Sequence, residues 1–204
     1  MTPPVRIISR HYIFDYRDTG NKVRLRRWSR GIFAIVRGGG HIETFAPLYK
    51  SESPTQVGTL TSKFLLQNTD KNTWSDVYLS YDIMFNFDRL HMLRNKLPLE
   101  GALSDLWLDV NKVIDPLHLP NHKRPECHQL YNPDTLSDSF PEANLMVCEQ
   151  VFCWLGRYKK ILNSMPKAHH HFFLHRLIKR RNSYTSYCQK VGKYPLLPSA
   201  RVQK

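Results

Sequence analysis

Hydrophobic and polar positions fall into two regimes along the chain, short strand-like runs first and helical stripes afterwards. Arg6 to Phe14 is rich in Ile, Tyr and Phe, as a strand is, and Asp18-Thr19-Gly20-Asn21 beyond it is turn chemistry. From Lys22 to Trp28 the residues alternate, with Val23, Leu25 and Arg27 facing one way and Lys22, Arg24 and Arg26 the other. Gly31 to Arg37 is a short apolar run stopped by Gly38-Gly39-Gly40. Three such strands with short connections predict an antiparallel meander. A helix then opens at Ser53 as N-cap, with Pro54 in the first helical position, Gln56 completing a capping box, and Val57, Leu60, Phe64 and Leu65 as its buried stripe. Asp76 to Asp82 reads as a further strand, Val77, Leu79 and Tyr81 on one face and Tyr78, Ser80 and Asp82 on the other.

The second half is mostly helical by the same criterion. Ile83 to Asn95 and Ser104 to Ile114 carry helical stripes, the latter through Leu106, Val110, Val113 and Ile114. Pro116 to Asp138, rich in Pro, His and Asn, predicts a structured loop. Asn144 to Met165 is the strongest helix, striped by Val147, Val151, Leu155, Tyr158, Leu162 and Met165. Lys167 to Lys190 is another, with Phe172, Phe173, Leu177 and Tyr184 packed inward and Gly192 suited to its end. The order β-β-β-α-β is that of an RNase H-like fold, an α/β architecture in which two acids sit side by side on adjacent strands. The expected layout is a core over 1–165 with a mostly helical insertion at about 83–140, followed by a basic C-terminal helix and tail over 166–204.

Charge sharpens this picture. The formal net charge of the 204 residues is +13. No Asp or Glu follows Glu149, while 12 Lys and Arg lie from Arg157 onward. The rest of the chain is nearly balanced, so the excess sits in the last quarter. An uncompensated basic segment is the footprint of a polyanion binder, because each neutralised phosphate releases condensed counterions. Arg157, Lys159, Lys160, Lys179, Arg180 and Arg181 are the expected DNA contacts. No run approaches the roughly 20 apolar residues of a membrane span, and no signal peptide is visible at the N-terminus. The four cysteines are too few and too irregular for a disulfide framework, which points to a reducing compartment, nucleus or cytosol.

Metal-dependent phosphoryl transfer needs carboxylates that gather two hard cations about 3.5–4 Å apart. Asp82, at a strand end, is placed for such a role or for that of an ordinary turn acid. Glu149 lies off the apolar stripe of its helix, with Cys153 and Gly156 leaving room on its face; alternatively it pairs with Arg157 or Lys160. His118, His122 and Cys127, with Cys148 as a fourth ligand, carry residue types that would bind a structural Zn2+. The alternative for that loop is an Asp115–His118 hydrogen-bonded pair.

Several of these stretches occur together, in order, in one family. Pro47 to Gln56, Leu79-Ser80-Tyr81-Asp82, Ile114-Asp115-Pro116-Leu117-His118 with Asn121 to Lys123, Asn144 to Gln150, Trp154 to Met165, and Arg181 to Thr185 resemble the Kyakuja–Dileera–Zisupton (KDZ) transposases, over about Gly31 to Ala200. The resemblance implies a DDE transposase with an RNase H-like catalytic core, using Mg2+ or Mn2+ to cleave and transfer DNA strands in the nucleus. Asp82 matches the second catalytic Asp and Glu149 the acidic third member. Asp115 and His118 match the Asp-x-x-His motif between them. Asp18 is the expected first Asp, with Asp15 the alternative. Full-length members carry upstream DNA- or zinc-binding regions, so the chain is expected to be the C-terminal catalytic portion of a truncated or derived copy. The competing functions are a non-catalytic, domesticated DNA-binding protein and a zinc-stapled interaction module. The expected partner is DNA, with further copies of the chain left open.

Overall fold

The computed structural model describes residues 31–48, 54–86, 88, 105–135 and 144–195 in full, and residues 5–11 and 101–104 by their backbone. Five strands form one sheet: β1 (Val5–His11), β2 (Gly31–Arg37), β3 (Ile42–Leu48), β4 (Tyr78–Ser80) and β5 (Asn111–Val113). Their order across it is β3-β2-β1-β4-β5. β1, β2 and β3 are a meander of antiparallel neighbours, whereas β4 runs parallel to β1 and β5 parallel to β4. The helices are α1 (Pro54–Asn68), α2 (Gly101–Asp109), α3 (Pro125–Leu130), α4 (Val147–Gly156), α5 (Lys159–Ser164) and α6 (Lys167–Lys190).

The period of two along β2 sorts the two cores. Ile32, Ala34 and Val36 join Val147, Val151 and Leu155 of α4 and Leu174 and Ile178 of α6 on one face. Phe33 and Ile35 join Val57 and Leu65 of α1, Leu106 and Trp107 of α2, and Val77, Leu79 and Tyr81 on the other. The sheet is therefore sandwiched between helices, which is why β2 reads as a continuous apolar run. Each such aliphatic side chain contributes about 1.5–3 kcal/mol by leaving water. Leu174 and Ile178 of α6 help to complete the first core.

Ile42–Leu48, which the sequence did not mark as a strand, completes the described meander; the stretch Lys22 to Trp28, expected as a strand, lies outside the described residues. Gly38 to Gly40 make the hairpin turn between β2 and β3, with Gly40 at φ 90. Its Arg37 N–H reaches the His41 carbonyl at 2.8 Å. Glu43 is bulged out of the register, which passes from Ile35↔Thr44 to Val36↔Ile42. Pro47, which argues against a strand, is tolerated because β3 is at the sheet edge.

Two helices end earlier than expected. The stripe assigned to Ser104 to Ile114 breaks at Asp109, and Asn111–Val113 becomes β5. Val110, Val113 and Ile114 have helical spacing, and a three-residue strand is too short to display its own period. Asn144 to Met165 is likewise split: α4 stops at Gly156, and Arg157 and Tyr158 turn before α5. The start of α1 at Pro54 and the end of α6 are as expected. At that end Gly192 has φ 65, and the Lys193 N–H returns to the Cys188 carbonyl at 2.8 Å, a Schellman closure. Most of the expected helix Ile83 to Asn95 lies outside the described residues.

Candidate functional site

Parallel pairing of β4 and β5 sends both strands out at the same end of the sheet. Ser80 pairs with Val113, and the Tyr81 N–H continues the ladder to the Val113 carbonyl at 3.1 Å. Asp82 follows β4 by two residues and Asp115 follows β5 by two, so these acids leave adjacent strands together. Asp82 is half-buried and Asp115 buried. Phe85, just beyond Asp82, is an anchor: its ring meets Tyr131 edge-on at 6.5 Å and Arg124 lies 4.7 Å over it. Tyr131 in turn donates to Asp88 Oδ2 at 2.7 Å. Burial, then that bond, raises the Tyr131 pKa well above the phenol range.

The carboxylate of Asp115 is committed locally. Its Oδ1 accepts the N–H groups of Leu117 and His118 at 3.0 and 3.1 Å, and its Oδ2 lies 2.7 Å from His118 Nδ1. That is the hydrogen-bonded pair offered as the alternative to zinc. The zinc set itself is not assembled. Cys127 is packed in the core beneath α1 and α2, while Cys148 is in the core beneath α4 and α6, on the opposite face of the sheet. Burial also pushes the Cys127 thiol up. His122 offers its carbonyl to His128 Nε2 at 2.8 Å.

Glu149 lies in the first turn of α4 and is half-buried. Val147, two residues before it, faces the β2–β3 turn, where a Cβ on Gly40 would meet Val147 Cγ2 at 3.7 Å. That turn lies at the end of the sheet where β4 begins, whereas Asp82 leaves where β4 finishes. Among the described residues no group of three or more His, Cys, Asp or Glu is placed to hold a metal ion. Asp18 and Asp15 lie outside the described residues.

The basic residues divide sharply. Arg176, Lys179, Arg180 and Lys190 project to solvent from α6, and Arg157 and Lys160 from the turn and helix before it; Lys159 is half-buried. The ion pairs among the described residues lie elsewhere, at Arg37–Glu43, Lys71–Asp105, Lys112–Asp88 and His118–Asp115. Arg181 departs from the expected set: it is 7% exposed and turned into the protein. The inward stripe of α6 is His170, Leu174, Ile178, Arg181, Thr185 and Cys188. Phe172, expected inside, is 67% exposed, while Phe173 and Leu177 flank the core. The helix is rotated from the expected face because the most apolar side chains do not themselves make the stripe at spacings of three and four.

A groove of about 470 Å³ runs between β3 and α6, lined by Thr44, Phe45, His175, Lys179, Asn182 and Ser186 among others. Sequence reasoning missed it because it missed β3. The one available signal was the polar row Lys179, Asn182, Ser183 and Ser186 at helical spacing. No helix among the described residues is long and apolar enough to cross a membrane. A family model described as the Kyakuja-Dileera-Zisupton transposase matches residues 20–182. No curated protein and no solved structure matches the chain.

Proposed function

Because the chain belongs to the Kyakuja-Dileera-Zisupton transposase family, we propose that it is the DNA-engaging core of a transposase, built on an RNase H-like sheet and holding DNA on the exposed basic face of α6. The observation that carries this is the row Arg176, Lys179, Arg180 and Lys190, fixed to the core by α6's buried stripe and facing solvent. No acid follows Glu149 to neutralise it. Such a row tracks phosphates without reading sequence. The sheet supports the RNase H-like reading through its order, an antiparallel β1-β2-β3 followed by β4 and β5 parallel to β1. The place of action on this reading is the nucleus.

Metal-dependent strand cleavage by Asp18, Asp82 and Glu149 is the second reading, favoured by the position of Asp82 directly after β4. Carboxylate oxygens are the right donors for Mg2+ or Mn2+, which would stabilise the attacking and leaving oxygens of phosphoryl transfer. Among the described residues no such group of carboxylates stands together, and Asp18 lies outside them.

Fluorescence anisotropy on a labelled duplex at several salt concentrations tests the first reading. Binding should weaken steeply with salt, and Lys179→Ala with Arg180→Ala should flatten the log–log slope by about 1 per lost phosphate contact. A salt-independent affinity would remove the proposal. Incubation with Mg2+ or Mn2+ tests the second: cleavage that disappears in both Asp82→Ala and Glu149→Ala establishes it, and intact binding without cleavage eliminates it.

A further inference from the structure

Arg181 lies on the buried stripe of α6, between Ile178 and Thr185. Its guanidinium carbon stands 5.5 Å from the centroid of the Trp154 ring of α4 and 5.8 Å from that of Tyr184. Rings attract the cation through their quadrupoles but take few of its N–H hydrogens. Among the described residues no carboxylate pairs with Arg181 and no oxygen accepts from it. Its Nε is sealed from solvent without an acceptor. Burial lowers its pKa below the usual arginine value, in keeping with that isolation. A buried cation without a counter-charge is costly, and a guanidinium does not escape the cost by losing its proton. Its fork of donors matches two oxygens of one tetrahedral anion.

We infer that Arg181, walled by Trp154 and Tyr184, is a receptor for a single phosphate-like oxyanion. Resting on the proposed DNA-binding reading, that oxyanion is a phosphodiester of the bound strand. The receptor is distinct from the exposed row of α6, which neutralises phosphates through solvent. Arg181 supplies a desolvated, two-pronged contact at one position along the strand, so it fixes where the strand lies.

The test compares the full chain with Arg181→Met, which keeps length and apolar stem and removes the fork. In thermal unfolding, inorganic phosphate should raise the melting temperature of the parent above that in chloride at matched ionic strength, and leave Arg181→Met unmoved. Arg181→Met should also bind a labelled single-stranded oligonucleotide about tenfold more weakly, with a log–log salt slope smaller by about 0.7. Equal phosphate responses in parent and variant, or none in either, overturn the receptor. DNA binding untouched in Arg181→Met, with no phosphate response, overturns it while leaving the DNA-binding reading intact. A phosphate response that needs Arg181 in a protein that fails to bind DNA keeps the receptor and removes that reading. Should Arg181→Met fail to fold, Arg181→Lys serves, since it retains charge without the fork; a phosphate response at parental strength in Arg181→Lys overturns the receptor.

Discussion

Asn182 satisfies both backbone groups of Ile42: its Oδ1 accepts the Ile42 N–H at 3.0 Å and its Nδ2 donates to the Ile42 carbonyl at 2.9 Å. Ile42 opens β3, which lies at the edge of the sheet. An edge strand presents unpaired backbone groups that invite another chain. The amide of Asn182 stands in for a neighbouring strand at that point and ties α6 to the meander. Replacing it with Ala removes both bonds from a part-buried place. Asn182→Ala should destabilise the fold by about 2 kcal/mol, read as a lower urea midpoint at unchanged slope. Asn182→Asp should not rescue it, because a carboxylate oxygen would then face the Ile42 carbonyl.

Two of the three glycines in the β2–β3 turn, Gly39 and Gly40, have different requirements. Gly40 has φ 90, a conformation that costs an L-residue about 1–2 kcal/mol. A Cβ there would meet only ordinary contacts, at 3.6 Å from Thr185 and 3.7 Å from Val147. At Gly39 a Cβ would come within 2.5 Å of Gln189 Nε2, the far end of a flexible side chain. Moving it sacrifices the exposed bond from Gln189 to the Gly39 carbonyl at 3.1 Å, worth about 1 kcal/mol or less. Gly40→Ala should therefore lower the melting temperature more than Gly39→Ala. The reverse ranking would mean that packing of α6, and not backbone conformation, controls this turn.

Asp115 accepts from two backbone N–H groups and faces the His118 ring, so one carboxylate organises the turn after β5. Asp115→Ala leaves those donors without their partner and should cost about 2–3 kcal/mol. His118→Ala removes one of the three contacts and should cost about 1 kcal/mol. The double variant should be no worse than Asp115→Ala by more than a few tenths, the mark of a shared network. Full additivity in chemical denaturation would show that His118 has a separate structural role.

The imidazole of His41 lies 2.8 Å from Ser186 Oγ. Burial, reinforced by nearby Arg37, lowers its pKa in the folded protein. The unfolded chain therefore takes up the proton first. The contribution of His41 is intact above its ordinary pKa of about 6.5, is lost progressively as the pH falls from there to the lower folded value, and is constant below that. His41→Gln should flatten stability against pH across this window compared with the parent. An identical pH profile in both would show that other histidines set the acid dependence.

Patterns that repeat over several turns were legible in the sequence. Gly31–Arg37 was plain because both faces of β2 are covered, and α1 because Pro54 marks its start. The two faces of Val77 to Tyr81 were legible even though only Tyr78–Ser80 form the strand. β5 was not, since three residues cannot show a period and Val110, Val113 and Ile114 imitate a helix. β3 was hidden by Pro47 and the bulge at Glu43, and the groove beside it went unseen as a result. Of the site residues, Asp115 and His118 had their pairing raised only as the alternative to a zinc set, and that pair is the one the structure holds. The burial of Arg181 was beyond a reading that sorts residues by polarity, because long stems and aromatic neighbours allow an arginine inside. Asp82 and Glu149 were named from resemblance, and their mutual placement depends on helix direction, which spacing does not encode.

The ties between α6 and the β2–β3 hairpin join residues about 140 positions apart, Ile42 to Asn182 and His41 to Ser186. Contacts so distant in sequence are slow to form, because the intervening chain must be closed into a loop first. During synthesis the apolar row Ile32, Ala34 and Val36 is translated long before Leu174 and Ile178, which help to cover it. Until α6 leaves the ribosome that face, beside an edge strand whose Ile42 backbone still lacks Asn182, is exposed to other nascent chains. The early meander is thus the segment most in need of chaperone cover, and its risk of aggregation ends only when the last helix docks.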